Sequence, residues 1–175
     1  MFQPNMEHPD QDRAARVGAK LQARGWRLAV AESCTGGLLS HRLTNVPGSS
    51  TYFLGGVIAY RNEIKTRVLH VREETLARFG AISAETAQEM AEGVRRLFQA
   101  DLALAITGVA GPDPIENQPV GRIYIALASP HGIQVRQILG GSDRQGNKAL
   151  AVEAALELLE ATLEGKPLPE NPQGT

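Results

Sequence analysis

One stretch constrains this chain more than any other. Trp26-Arg27-Leu28-Ala29-Val30-Ala31 is followed by Glu32-Ser33-Cys34-Thr35-Gly36-Gly37, and then by a helix-like run over residues 38–46 that Pro47-Gly48 stops. The first six residues alternate at their start and are rich in strand formers, so they read as a buried strand. The paired glycines permit a tight turn, and the next run reads as a helix. Strand, tight turn and helix in such quick succession point to a layered α/β domain.

The rest of the chain keeps that alternation. Residues 11–24 carry Ala14, Val17 and Leu21 at helical spacing and end at Gly25. Residues 51–60 form a second apolar strand, with Gly55-Gly56 marking a bulge or a close backbone approach. Asn62 is an N-cap candidate for a short helix to about His70, and residues 72–79 add a turn or two closed by Gly80. Ser83 caps a helix whose apolar face is Ala87, Met90, Ala91, Val94, Leu97 and Phe98. Residues 102–106 read as a strand buried on both faces, and residues 107–119 as a loop. Two strands follow, 120–128 and 133–139, turned at 129–132. The longest helix then carries a stripe of Val152, Ala155, Leu156, Leu159 and Leu163, with Glu153, Glu157, Glu160 and Glu164 on its other faces. The expectation is a three-layer α/β/α sandwich with a mostly parallel mixed sheet. It forms one domain over residues 11–164, between flexible tails at 1–10 and 165–175.

Composition narrows the class of partner. Lys plus Arg number 18 against 19 Asp plus Glu, so no basic surface argues for nucleic acid. One cysteine excludes an internal disulfide framework and a cysteine-rich zinc site. The opening residues lack the basic start and apolar run of a signal peptide, and no run approaches the roughly 18 apolar residues of a membrane span. A cytoplasmic protein with neither nucleic-acid nor membrane partners is expected.

Ser33 is the first candidate for chemistry, because it sits at a strand's carboxyl end before a glycine-rich helix start. The backbone N–H groups of Thr35, Gly36 and Gly37 are expected nearby and unpaired, at the positive end of the helix dipole. A developing oxyanion needs such donors. The plainer alternative is that Ser33 or Thr35 only caps the helix. A serine hydroxyl needs a base, and none of His8, His41, His70 and His131 makes a convincing triad member. Lys65, in the first turn of its helix, is the better base: the dipole opposes its charge, and burial would lower its pKa further. Glu63 works against this if its carboxylate turns toward the amine, and an exposed surface lysine is the alternative. Tyr60, five residues earlier, stands where it could relay a proton or hold the amine, or be merely an aromatic at a strand end.

The loop Thr107-Gly108-Val109-Ala110-Gly111-Pro112-Asp113 follows a buried strand, where α/β sheets bind ligands, and its N–H groups could form an anion nest. It closes neither as a phosphate loop nor as a dinucleotide fingerprint. Arg144, in the first turn of the long helix, faces either an anionic ligand or one of Asp143 and Asp113. Cys34, without an imidazole partner, is read as packing or lining the site.

Taken in order, five segments resemble the CinA C-terminal-domain family, whose characterised members include nicotinamide mononucleotide deamidase. They are Ala31-Glu32-Ser33-Cys34-Thr35-Gly36-Gly37, Val46-Pro47-Gly48-Ser49-Ser50, Gly56-Val57-Ile58-Ala59-Tyr60 with Asn62 and Lys65, Thr107-Gly108-Val109-Ala110-Gly111-Pro112, and Pro119-Val120-Gly121. The resemblance implies a serine amidohydrolase that turns nicotinamide mononucleotide into nicotinate mononucleotide and ammonia, without metal or organic cofactor. It puts the family's serine, tyrosine and lysine on Ser33, Tyr60 and Lys65, and its substrate-site threonine and arginine on Thr107 and Arg144. With these, Thr35, Gly36, Gly37, Gly108 and Gly111 complete the expected substrate-binding set. A homodimer or larger homo-oligomer is also implied. One segment departs from the family pattern: Asp113-Pro114-Ile115-Glu116-Asn117-Gln118 replaces a glycine-rich stretch with a lysine. Two other readings therefore stand beside the first, a non-catalytic nucleotide-binding module and an amidase for another carboxamide. Longer relatives carry an N-terminal domain linked with pyrophosphatase activity, and no metal-dependent activity of that kind is expected of this sequence.

Overall fold

The computed structural model describes residues 12–166; the expected N-terminal tail and residues 167–175 of the expected C-terminal one lie outside the described residues. Helix α1 (Arg13–Arg24) begins where Asp12 accepts from the Ala14 amide and ends at Gly25. Strand β1 (Leu28–Glu32) is followed by the Ser33–Gly37 turn and α2 (Leu38–Thr44). Next come a 3-10 turn (Ser49–Thr51) and β2 (Phe53–Ile58), then α3 (Asn62–Leu69), α4 (Glu73–Phe79) and α5 (Ala84–Phe98). Strands β3 (Leu102–Gly108), β4 (Arg122–Ser129) and β5 (Gly132–Leu139) lead into α6 (Arg144–Glu164).

The five strands form one mixed sheet in the order β2-β1-β3-β4-β5. Parallel pairing is confined to the β2-β1-β3 half, while β3-β4 and β4-β5 pair antiparallel. Because β5 reverses β4, four of the five strands run in one direction and only β4 opposes them, which is the mostly parallel mixed sheet expected. The register slip between Leu28 and Ala29 opposite Phe53 and Gly55 is the bulge foreseen at Gly55-Gly56.

The two faces of the sheet differ in residue size. Leu28, Val30, Leu102, Leu104, Ile106, Ile123, Ile125 and Leu127 face one core with α1, α2 and α6. Ala29, Ala31, Ala103, Ala105, Ala126 and Ala128 face the other, where α5 presents Ala87, Met90, Ala91 and Val94. Small side chains on that face leave room for a helix to lie close to the strands. The crossing of α3 over α5 is tighter still: a Cβ at Gly93 would stand 1.9 Å from the Leu69 carbonyl oxygen. No side chain fits there, so Gly93 sets the depth of α3 and of every residue on its inner side.

Several expectations shift. Thr107 and Gly108 belong to β3, paired with Tyr124 and Ile123, and not to the loop, because the ladder to β4 continues past Ile106. Arg61, in extended conformation, is the N-cap of α3, and Asn62 is its first helical residue. Leu97 is 51% exposed, since it falls off the arc of α5 that meets the sheet. Glu160 does not decorate a free face: it is 8% exposed, against α1. Among the described residues no helix is long and apolar enough to cross a membrane.

Candidate active site

Ser33 is held from both sides. Its N–H donates to the Ile106 carbonyl at 2.9 Å, and the Ala59 N–H donates to the Glu32 carbonyl at 2.8 Å. The turn thus continues the β3-β1-β2 ladder one residue beyond the strand. Gly36 (φ 61°) and Gly37 (φ 103°) then reverse the chain into α2. The first amides of α2 point back at the fully buried Glu32 carboxylate. Its oxygens accept from the N–H groups of Gly37 (3.1 Å), Leu39 (3.0 Å) and Ser40 (2.8 Å), and from the Ser40 hydroxyl (2.7 Å). A buried anion is affordable here because it is saturated with donors at the positive end of a helix.

Glu32, then, is the cap, and neither Ser33 nor Thr35 serves in that role. The same arrangement corrects the expected oxyanion donors. The Gly36 amide donates to the Ser33 carbonyl at 3.1 Å and the Gly37 amide to Glu32, so neither is free. The amides of Cys34 and Thr35 donate to no other described residue. Sequence reading missed Glu32, although a carboxylate just before a serine and a glycine-rich helix start was the available signal.

Lys65 lies on the inner side of α3 and is 2% exposed. Its Nζ donates to Ser33 Oγ at 3.2 Å and to the Ala59 carbonyl at 2.9 Å. No carboxylate lies within ion-pair range of it among the described residues. Burial pushes its pKa below the ordinary lysine value, while Glu116 and Cys34 pull the other way. The feared influence of Glu63 is weak in geometry, because that carboxylate turns to Arg61 at 3.4 Å. Burial raises the Cys34 thiol to about 12, so it stays protonated and lines the site as a neutral group.

A cavity of about 450 Å³ opens over the Ser33–Lys65 pair, a size suited to a small ligand. Ser33, Tyr60, Lys65, Thr107, Gly108 and Arg144 all line it. Thr35, Gly36, Gly37 and Gly111 do not. Thr35 is wholly buried, its hydroxyl without a partner among the described residues, and Gly111 takes part only through its carbonyl, which accepts from Arg144. Tyr60 stands two residues beyond β2 and is 57% exposed. Its hydroxyl oxygen accepts from Arg144 Nη2 at 2.9 Å, which leaves the phenolic hydrogen free to face the cavity. Arg144 pairs with neither Asp143 nor Asp113. The Thr107 hydroxyl donates to the Ala81 carbonyl at 2.7 Å and keeps its oxygen as an acceptor.

Together these groups make a serine beside an uncharged-leaning lysine, a phenol fixed by an arginine, and a concave space above them. Such a set can activate an oxygen nucleophile and meet a carbonyl compound. No cluster of His, Cys, Asp and Glu suited to a metal occurs among the described residues.

Residues 10–163 match a family described as the CinA C-terminal domain. A protein of Desulforamulus reducens with a competence-damage inducible name is 46% identical over 166 residues, covering 95% of this chain and 40% of its own. A CinA-like protein of Syntrophomonas wolfei is 47% identical over 144 residues, covering 82% and 35%. The chain thus spans two fifths or less of these curated relatives. A CinA superfamily protein of Klebsiella pneumoniae superposes with a TM-score of 0.86 at 36% identity, over 91% of this chain and 99% of that one. The CihA protein of Agrobacterium tumefaciens does so with 0.85 at 34%, over 93% and 99%.

Proposed function

The chain belongs to the CinA C-terminal-domain family, and from that membership and the buried Ser33–Lys65 contact we propose that it is a serine amidohydrolase. Its substrate in this reading is nicotinamide mononucleotide, and its products are nicotinate mononucleotide and ammonia. The observation that carries the proposal is the 3.2 Å approach of Lys65 Nζ to Ser33 Oγ, with no carboxylate in ion-pair range of the amine among the described residues.

Neutral Lys65 takes the Ser33 proton as Oγ forms a bond to the carboxamide carbon. The negative charge on the carbonyl oxygen is met by the Cys34 and Thr35 amides, the donors that follow the nucleophile. The Lys65 ammonium then returns its proton to the departing nitrogen, and the C–N bond breaks to give ammonia and an ester on Ser33. Water, deprotonated by Lys65, attacks that ester and releases the acid, and the proton goes back to Ser33 Oγ. The free phenolic hydrogen of Tyr60 assists the leaving nitrogen, and Arg144 with the Gly108 backbone meets the ribosyl phosphate. Thr107 orients the carboxamide or its ring. The protein acts as a homodimer or larger homo-oligomer in the cytoplasm.

Ammonia release from the mononucleotide by pure protein tests this reading, and Ser33→Ala is expected to abolish it. Equal release by that variant removes the serine from the mechanism. Tight calorimetric binding without release at any pH supports a non-catalytic module, and turnover of other amides only, in a carboxamide panel, moves the substrate.

A further inference from the structure

The segment that departs from the family pattern places a charge at the site. Ile115 and Gln118 bond reciprocally, N–H to carbonyl, at 3.2 and 2.8 Å, and Glu116 and Asn117 between them take φ of 52° and 60°. This is a two-residue turn of the kind that needs positive φ at both central positions, and glutamate is an uncommon choice there. The turn delivers the Glu116 carboxylate to the cavity wall, where it accepts the Ala81 N–H at 2.7 Å. Gly80 makes the space: a Cβ there would stand 2.7 Å from Glu116 Oε2. The Ala81 backbone is therefore held on both sides, its N–H by Glu116 and its carbonyl by Thr107.

The charges on the wall sort into a simple pattern. Arg61 and Glu63 pair with each other. Lys65 is buried beside neutral partners. Arg144 and Glu116 remain, one cation and one anion, neither in an ion pair among the described residues. A cavity with two opposite, uncompensated poles suits a ligand that is itself positive at one end and negative at the other. In a pyridine mononucleotide the phosphate supplies the negative end and the N-glycosylated ring the positive one.

Resting on the amidohydrolase reading above, we infer that Glu116 reads the positive charge of the substrate's ring, so that the site selects carboxamides carried on a cationic heterocycle over neutral ones. Arg144 takes the anionic end.

The test uses two ligands of nearly equal shape, nicotinamide mononucleotide and its reduced dihydro form, whose ring is neutral. Calorimetry on full-length Ser33→Ala gives each dissociation constant without turnover. The cationic form is expected to bind roughly fivefold more tightly, the upper end for a partly solvated charge pair. Adding Glu116→Gln, which keeps an acceptor for the Ala81 N–H, is expected to erase that preference and leave the neutral ligand's affinity unchanged. A preference that survives the glutamine, or equal weakening of both ligands, overturns the inference and makes Glu116 a structural latch only. Ammonia release by the unmodified protein, alongside that negative result, leaves the amidohydrolase reading standing. Failure of both ligands to bind takes the two down together.

Discussion

Two of the buried charged residues, Lys65 and Glu160, sit under opposite conditions. Lys65 is enclosed with a hydroxyl and a carbonyl for company, and among the described residues no carboxylate comes within ion-pair range of it. Glu160, on the seam between α1 and α6, is enclosed by cations: Arg13 at 2.6 Å, Arg16 at 2.8 Å and Lys20 at 3.8 Å. Hydrogen bonding from Arg16, with the neighbouring positive charges, holds the Glu160 carboxyl below its usual range and keeps it ionised. Burial without a counterion drives Lys65 toward its neutral form instead. The first arrangement stores reactivity and the second stores stability.

Replacing each residue by a neutral one of similar shape should separate the two. Lys65→Met is expected to lower kcat about a thousandfold, the loss of a positioned general base. Its thermal midpoint should be unchanged or raised, because a poorly compensated buried amine is gone. Glu160→Gln is expected to leave kcat intact and to cost about 2–3 kcal/mol of stability, since three cations lose their shared anion. On a chain of this size that is a fall of roughly 6 °C in Tm. The deficit also has a pH signature. A carboxyl with a lowered folded-state pKa stabilises the fold above its unfolded value of about 4.3, and the contribution vanishes as pH falls through the folded value. Wild type and Glu160→Gln should therefore converge in stability in acid. A Lys65→Met protein that unfolds early, or a Glu160→Gln protein that loses turnover, would erase the contrast.

How much of this could be read beforehand follows from how local each signal is. Gly25 and Ser83 mark helix ends through bonds within three or four residues of themselves, and they sit where the pattern put them. The Ser33–Lys65 meeting was legible because β1 and β2 are parallel neighbours, so residues just past their ends come together. Glu32 carried a local signal that was harder to see, since its oxygens meet amides that converge only after Gly36 and Gly37 turn the chain back. Glu160 meets Arg16 across 144 residues, and Glu116 meets Ala81 across 35, contacts that no periodicity encodes. Leu97 misleads for a related reason: its helical spacing is right, but the arc of α5 that meets the sheet is narrower than the apolar arc of the sequence.

Tyr60 tests how far the starved environment of Lys65 extends. Its oxygen is held by Arg144, and its hydrogen remains available to the cavity. Tyr60→Phe should lower kcat about tenfold, far less than Lys65→Met, because a second donor assists a leaving nitrogen that the Lys65 ammonium already serves. The double variant should be little worse than Lys65→Met alone, since groups acting on one proton path are not additive. Full additivity in kcat would assign the phenol an independent task, such as holding substrate through Arg144.

The smallest effect is the most direct measure of what an anion does to Lys65. Catalysis by the neutral amine makes kcat/KM rise with pH through the lysine's pKa. Burial holds that pKa down, and the Glu116 carboxylate lifts it part of the way back. Glu116→Gln removes the lift, so the acid limb of the profile should move to lower pH while the plateau for a neutral carboxamide stays in place. Cys34, the other group that pulls the lysine upward, is protonated at neutral pH with its thiol near 12, and its removal should leave the limb where it is. Movement of the limb to higher pH would mean that Glu116 acts on Lys65 by sealing it from water and not by charge. The counterion contrast between Lys65 and Glu160 would then fail at the site itself.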